Sequence, residues 1–382
     1  MRTLEAPRAL QSSPVVEMAR GGVELIAPVA DEWRALCEET TGEPFYRPEW
    51  VAAFVRAFVP RGQFVLFTVR SAGRLAAVLP MIEERVLFSG LPVRKLSGCD
   101  DVPLRFDLVR RPGAAGDAAC RALWEHLKRS RGWDVLEFPD VPPDSALELL
   151  LGAAAEDGFP TARRECMQTP YLPLDGWDGS DDYWIRQVGA NLRHSLRRRR
   201  RRLEEGGPIV LRRYDAYDLA ALQRFYEIEA SGWKGREGSA IGSDETRQKY
   251  HDELALEAVR YGYFALYLLE WAGKTIAGQF GFAYHGRYLA LKIAVDDRHR
   301  EYGLGHLLTN AILLDCSKRG LVEYDFIAHN AEWKQKWTSH FRSHAYFFIF
   351  RKGFYGRLIQ FAKLRMNPFV KRMMGREEKL GE

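Results

Sequence analysis

Apolar residues along the chain fall into helical and alternating rhythms that repeat in its two halves. Pro48 opens a segment carrying Trp50, Val51, Phe54, Val55 and Phe58 at helical spacing. Residues 64–69 read as a strand that turns at Ser71-Ala72-Gly73 into a second strand over 75–79. A helix over 118–129 presents Leu123, Trp124 and Leu127 and is ended by Gly132, and a short strand over 134–138 follows. In the second half, helices over 218–231 and 244–261 precede strands over 264–271, 276–284 and 288–295. The turns between these strands, Ala272-Gly273 and His285-Gly286, have the two-residue length that hairpins favour. A helix over 303–319 stops at Gly320, a strand spans 322–327, and a late strand spans 345–350.

Each half thus contains a hairpin, a helix, a glycine stop and a short strand with an aspartate, Asp134 or Asp325, which predicts a duplicated α/β unit. The expected organisation is a loose tail over 1–22, a first domain over 23–170, a connector with a basic helix over 171–210, a second domain over 211–352 and a basic amphipathic tail over 353–382. A length of 382 residues also suits two domains.

Composition narrows the class. The chain is 46% hydrophobic and 28% charged with a net charge of +5, as expected of a soluble globular protein with a mild basic excess. The five cysteines, Cys37, Cys99, Cys120, Cys166 and Cys316, are odd in number and none lies at metal-ligand spacing from another. Free buried thiols in a reducing compartment are expected, and no metal. No apolar run approaches the ~20 residues that span a bilayer, and the first residues lack a signal-peptide pattern. The expected location is the cytoplasm.

Candidate chemistry centres on Arg300-Glu301-Tyr302-Gly303-Leu304-Gly305, between a strand and a helix. The first amides of a helix have no intrahelical acceptor and lie at the positive end of its dipole, which makes an anion site. Gly303 and Gly305 let the backbone approach a phosphate, and Arg300 can add a charge-assisted contact. The loop resembles the acyl-CoA signature of the GNAT superfamily, Arg/Gln-x-x-Gly-x-Gly/Ala. More broadly, residues 180–342 resemble the acetyltransferase family linked to bacterial cellulose and exopolysaccharide production, itself similar to the Fem peptidyltransferases. The resemblance is carried by Asn191-Leu192-Arg193, Ser231-Gly232-Trp233-Lys234-Gly235, Ala240-Ile241, Lys292, Asp325, Trp333-Lys334 and Trp337. It implies an α/β (α+β) fold of tandem GNAT domains with mixed sheets flanked by helices. Acetyl-CoA or another acyl-CoA would be held by residues 300–305, including Tyr302 and Leu304, and a backbone N–H near Ala294 or Val295 would meet the acyl oxygen. In the first half the corresponding loop, residues 110–116, lacks the full pattern, so cofactor is expected only in the second domain.

Acyl transfer needs a group that deprotonates or orients the acceptor. Asp325 is the first candidate for that role, with Lys292 pairing with it or polarising the acceptor. The two also fit a structural ion pair between strands. Trp233, Lys234, Trp333 and Lys334 are candidate acceptor contacts, Trp233 offering a flat face to a sugar ring. Tyr324 or Tyr346 could protonate the departing thiolate.

Arg193 and the run Arg197 to Arg202 cover every face of a helix. Such a run suits a solvated connector, or a polyanion contact. Arg193-x-x-x-Arg197 has the spacing of cyclic di-GMP sites. No DNA partner is expected. The tail interleaves Phe354, Leu358, Phe361, Leu364 and Phe369 with Arg357, Lys363, Arg365, Lys371 and Arg372. It fits a peripheral membrane-surface anchor, or a helix packed on the domain. The function expected from these features is acylation of an amino sugar or sugar hydroxyl in an exopolysaccharide or its lipid-linked precursor. The alternatives are a Fem-like aminoacyl transferase using charged tRNA and a non-catalytic nucleotide-binding protein.

Overall fold

The computed structural model describes residues 13–366 apart from 41, 99–104, 233–237 and 239. It separates into two compact units, one formed by the chain up to Glu165 with the segment from Ala345, the other by Cys166–His344.

The first unit contains β1 (Val15–Gly21), β2 (Phe64–Ser71), β3 (Arg74–Phe88), β4 (Leu91–Ser97), β5 (Val109–Arg110) and β6 (Val135–Val141). Its sheet runs β1-β2-β3-β4-β6 and is completed by residues 345–350, with β5 paired to β3. All neighbours are antiparallel except β4 and β6. The helix Ala114–Arg129 buries Ala119, Cys120, Leu123, Trp124 and Leu127 against Val65, Phe67 and Leu79 of the sheet. Pro48–Phe58 is a helix with Trp50, Val51, Phe54 and Val55 buried.

The second unit contains β7 (Thr161–Pro173, from residue 166), β8 (Ile209–Tyr214), β9 (Phe264–Trp271), β10 (Lys274–Tyr284), β11 (Arg287–Val295), β12 (Glu323–Asp325) and the first residues of β13 (His340–Phe350). The sheet order is β7-β12-β11-β10-β9-β8, antiparallel apart from β11 and β12. The helix Leu304–Lys318 lays Leu304, Leu308, Ile312 and Cys316 on Tyr267, Ile276 and Tyr288. The two units share one order: antiparallel meander, helix, then a short strand parallel to the meander's last. Each is a mixed sheet flanked by helices, the GNAT-like fold. Positive φ at Ala72 and Gly73, Ala272 and Gly273, and His285 and Gly286 gives the primed turns that match strand twist.

Several expectations are corrected. Residues 15–21 of the expected tail are strand β1, paired along its length with β2. Its alternation is weak because it is an edge strand whose residues are all partly or fully exposed. The basic segment is two helices, Tyr183–Gln187 and Ala190–Glu205, separated at Val188-Gly189. The strand expected over 322–327 stops at Asp325. Residues from Ala345 pack with the first unit, so the C-terminal segment does not simply follow the second domain. There the helix Phe354–Phe361 buries Gly356 and Ile359, while Phe354 is 85% and Phe361 55% exposed. Residues 367–382 of the expected anchor lie outside the described residues. Among the described residues no helix is long and apolar enough to cross a membrane.

Candidate active site

At the end of β11 the Asp296 carboxylate accepts the Arg298 amide at 3.0 Å and pairs with the Arg298 guanidinium at 2.7 Å. That cap starts a short helical segment, Asp297–Tyr302, kinked at His299. Gly303 then takes φ 61° and ψ 47°, the left-handed conformation that lets the next helix begin at Leu304. The Gly303 carbonyl accepts from the His306 and Leu307 amides at 3.1 and 3.3 Å. The amides of Leu304 and Gly305 come before these intrahelical bonds, at the positive end of the dipole. A Cβ at Gly305 would meet only the side chains of Ile293 at 3.8 Å and Val295 at 4.0 Å, so the backbone is open to a ligand.

The equivalent corner of the first unit is built differently, with Ala115 where the second unit has Gly305. Gly113 also has positive φ, 72°, and precedes the helix Ala114–Arg129. A Cβ at Gly116, however, would collide with the Arg111 carbonyl oxygen, which also accepts from Arg110 Nη1 at 3.2 Å.

Arg300 is exposed toward the end of the segment Asp297–Tyr302. The Tyr302 ring packs toward Trp271, 5.9 Å between centroids, with the Arg202 guanidinium carbon 5.6 Å from its centre. Its side chain fixes the loop to the arginine helix, and Trp271 is itself anchored by an indole bond to the Leu203 carbonyl at 2.7 Å.

Strands β11 and β12 pair only over Arg287–Leu289 and Glu323–Asp325. Beyond that β11 bulges, Leu291 being the extra residue between the Gly281–Ala290 and Phe280–Lys292 pairs, and runs on to Val295. Ala294 and Val295 therefore lie on the stretch that has left β12. Lys292 is half-buried and lies three residues past Leu289, the residue opposite Asp325.

The chain leaves β12 through a turn with positive φ at two consecutive non-glycine residues, Ile327 (45°) and Ala328 (55°). A β-branched residue rarely occupies that region, and such strain persists only where the surroundings enforce it. The enforcement comes from two of the candidate residues. The Asp325 carboxylate accepts the Ile327 amide at 2.9 Å. Lys334 Nζ donates to the carbonyls of Phe326, Ile327 and His329 at 3.3, 2.6 and 3.0 Å. Burial pulls the Lys334 ammonium down to about 8, with the Asp325 charge opposing. Asp325 is fully buried and also lies 3.4 Å from Arg342, which pairs with Glu323 at 2.6 Å. Asp325 and Lys334 thus brace the turn from either side, a positioning role where the sequence suggested contact with the acceptor.

Sequence reasoning missed His306, which directly follows the glycine loop. Its Nδ1 accepts the Trp337 indole N–H at 3.0 Å, so the ring proton sits on Nε2. Burial, then the charges of Lys336 and Arg199, pull its pKa down to about 4, and the ring is neutral at physiological pH. Half-buried Trp333 lies 6.2 Å from this ring and 5.8 Å from Phe326, closing an aromatic wall between the glycine loop and the strained turn. Trp337 is buried.

The remaining candidates lie apart. Tyr324 is fully buried and donates to Gln279 Oε1 at 2.6 Å, and burial pushes its hydroxyl far above the usual range, so it is not a proton donor. Tyr346 belongs to the first unit. Arg193 donates to the Arg186 carbonyl at 3.3 Å, and Arg197 faces Asp182 at 3.3 Å on the exposed side of the helix. Trp233 and Lys234 lie outside the described residues.

The family profile described as "Acetyltransferase (GNAT) domain" matches residues 190–335. This span holds the glycine loop, the splayed strands and the braced turn. The matched span is a GNAT-type acyltransferase domain, which makes the chain an acyltransferase, and that fold generally takes acyl-CoA as co-substrate. Among solved structures it is similar to FemX, at 13% identity and a TM-score of 0.59, covering 91% of this chain and 100% of that one. It is also similar to L-PGS from Bacillus licheniformis, at 13% identity and a TM-score of 0.52, covering 91% of this chain and 96% of that one. At such identities the likeness is one of fold. No curated protein sequence matches significantly.

Proposed function

We propose that this enzyme transfers an acyl group, acetyl in the simplest case, from acyl-CoA to the amine of an amino sugar or a sugar hydroxyl, in an exopolysaccharide or its lipid-linked precursor. The observation that carries the donor half is the open glycine cradle. Its amides at Leu304 and Gly305 fit a pyrophosphate, and outside its own turn of helix no atom comes closer than 3.8 Å to a Cβ placed at Gly305. Acyl-CoA bound there would supply a thioester-activated acyl group. The residues of this chain do the rest. The Leu304 and Gly305 amides and Arg300 fix the phosphates, the β11 stretch through Ala294 and Val295 lines the cleft that opens where β12 ends, and the braced turn shapes its other wall. Trp333 offers an aromatic face of the kind that stacks on sugar rings, and the neutral His306 carries its proton on the nitrogen not held by Trp337.

Calorimetric titration with acetyl-CoA should give one site per chain, because the first unit's loop over residues 110–116 lacks the full glycine pattern. A stoichiometry of two would show that the first unit also binds. Thiol release from acetyl-CoA in the presence of glucosamine-type acceptors tests the acceptor half. Failure to bind any acyl-CoA, with consumption of aminoacyl-tRNA instead, would replace the proposal with a Fem-like transfer.

A further inference from the structure

The arginine run contains one residue unlike its neighbours. The inward stripe of the helix Ala190–Glu205 is set by Leu192, Leu196 and Leu203, the last two fully buried. Arg199, three residues after Leu196 and four before Leu203, falls on that stripe. Arg197 pairs with Asp182 and Arg200 with Glu204. Arg199 makes no ion pair among the described residues, although it is partly buried. Its guanidinium crosses directly over the glycine loop. A Cβ at Gly303 would collide with Arg199 Nη1 and would lie 3.2 Å from Cζ and 3.5 Å from Cδ.

This arrangement is electrostatically incomplete. The Arg199 guanidinium lies beside Gly303 at the positive end of the helix Leu304–Lys318, near that helix's first amides, and among the described residues no carboxylate pairs with it. A cation drawn from water onto an inward face needs a counter-charge. It also explains the glycine at 303, which gives the guanidinium room to pass as well as permitting the left-handed turn. We infer that Arg199 is a cofactor-positioning residue whose guanidinium grips the phosphoryl oxygens of the pyrophosphate held by the 303–305 loop. The role depends on acyl-CoA occupying that loop. The arginine helix thereby becomes one wall of the donor site, with Arg202 over Tyr302 fastening the loop to it.

The test compares Arg199→Ala and Arg199→Lys with Arg198→Ala and Arg201→Ala, exposed positions that remove the same charge. Loss of a charge-assisted bidentate contact should weaken acetyl-CoA binding about ten- to hundredfold, raise KM in parallel and flatten its salt dependence, with kcat at saturation near the wild-type value. Lysine should restore only part, lacking the planar fork. The two controls should stay within about twofold, since exposed charges are screened. The thermal midpoint of ligand-free Arg199→Ala should be unchanged or higher, because an uncompensated charge has been removed, whereas a purely structural arginine would lower it. Equal losses in the controls, or undiminished binding in Arg199→Ala, would overturn the assignment while leaving the donor reading intact. No acetyl-CoA binding by the wild-type chain would sink both.

Discussion

Gly303→Val should abolish saturable acetyl-CoA binding, while Gly305→Ala should leave it within a few fold. Residue 303 stands at φ 61° and ψ 47°, which costs a typical L-residue about 1–2 kcal/mol and a β-branched one more. The added Cβ also displaces the Arg199 guanidinium, so the turn and the cation above it are disturbed together. At residue 305 the nearest atoms to a Cβ are 3.8 Å away and belong to flexible side-chain ends. Alanine there adds up to about 1 kcal/mol of helix propensity over glycine. Gly305→Leu, in contrast, would fill the cradle and weaken binding without a backbone cause. Calorimetry with acetyl-CoA, accompanied by thermal melts of each variant, separates these effects. Undiminished binding by a folded Gly303→Val would move the phosphate site away from this loop, and complete loss in Gly305→Ala would mean that the ligand uses the space of a single methyl group.

These contrasts follow the line between what short stretches of sequence encode and what only tertiary packing decides. The hairpin turns were legible because a residue-glycine pair between alternating runs has one favoured geometry, and Asp218 and Asp244 mark helix starts by bonding the Ala221 and Thr246 amides. The glycine loop was legible for the same reason, all its parts lying within six residues. Strands β1 and β8 were not, because an edge strand with no fully buried residue carries almost no hydrophobic signal. Asp325 was read as a cleft residue on a strand assumed to run to 327. The strand ends at Asp325 because the carboxylate turns the chain by accepting the Ile327 amide. Lys334 beside Trp333 suggested ligand contact, and its bonds to three carbonyls five to eight residues upstream leave no trace in spacing. The His306–Trp337 bond joins residues 31 apart and was equally invisible. The arginine run is the intermediate case: six consecutive guanidiniums hide the helix phase, yet Leu192, Leu196 and Leu203 supply it and place Arg199 inward.

Lys334→Met should lower turnover about ten- to hundredfold while changing stability far less than the loss of three hydrogen bonds suggests. Two large terms oppose each other. Removing the ammonium strips donors from the carbonyls of Phe326, Ile327 and His329, at roughly 1–3 kcal/mol for each one left buried and unpaired. It also abolishes the cost of holding a charge where its pKa falls to about 8 from the reference 10.5, on the order of 3 kcal/mol. The sign of the pH dependence follows from linkage. Between about 8 and 10.5 the unfolded chain holds this proton more tightly than the folded one, so the lysine's contribution to stability rises with pH through that window and its cost is complete below it. Activity should move the other way. A neutral amine has two N–H donors for three carbonyls, so above about pH 8 the strained turn at Ile327 and Ala328 loses a support and the cleft wall it forms beside Trp333 loosens. The wild type should therefore gain stability relative to Lys334→Met as turnover falls through the same pH range, and the methionine variant should show neither trend. If wild-type turnover and stability rose together above pH 8, or if the methionine variant kept full turnover, the turn would have no part in shaping the cleft and Lys334 would be holding it for the fold alone.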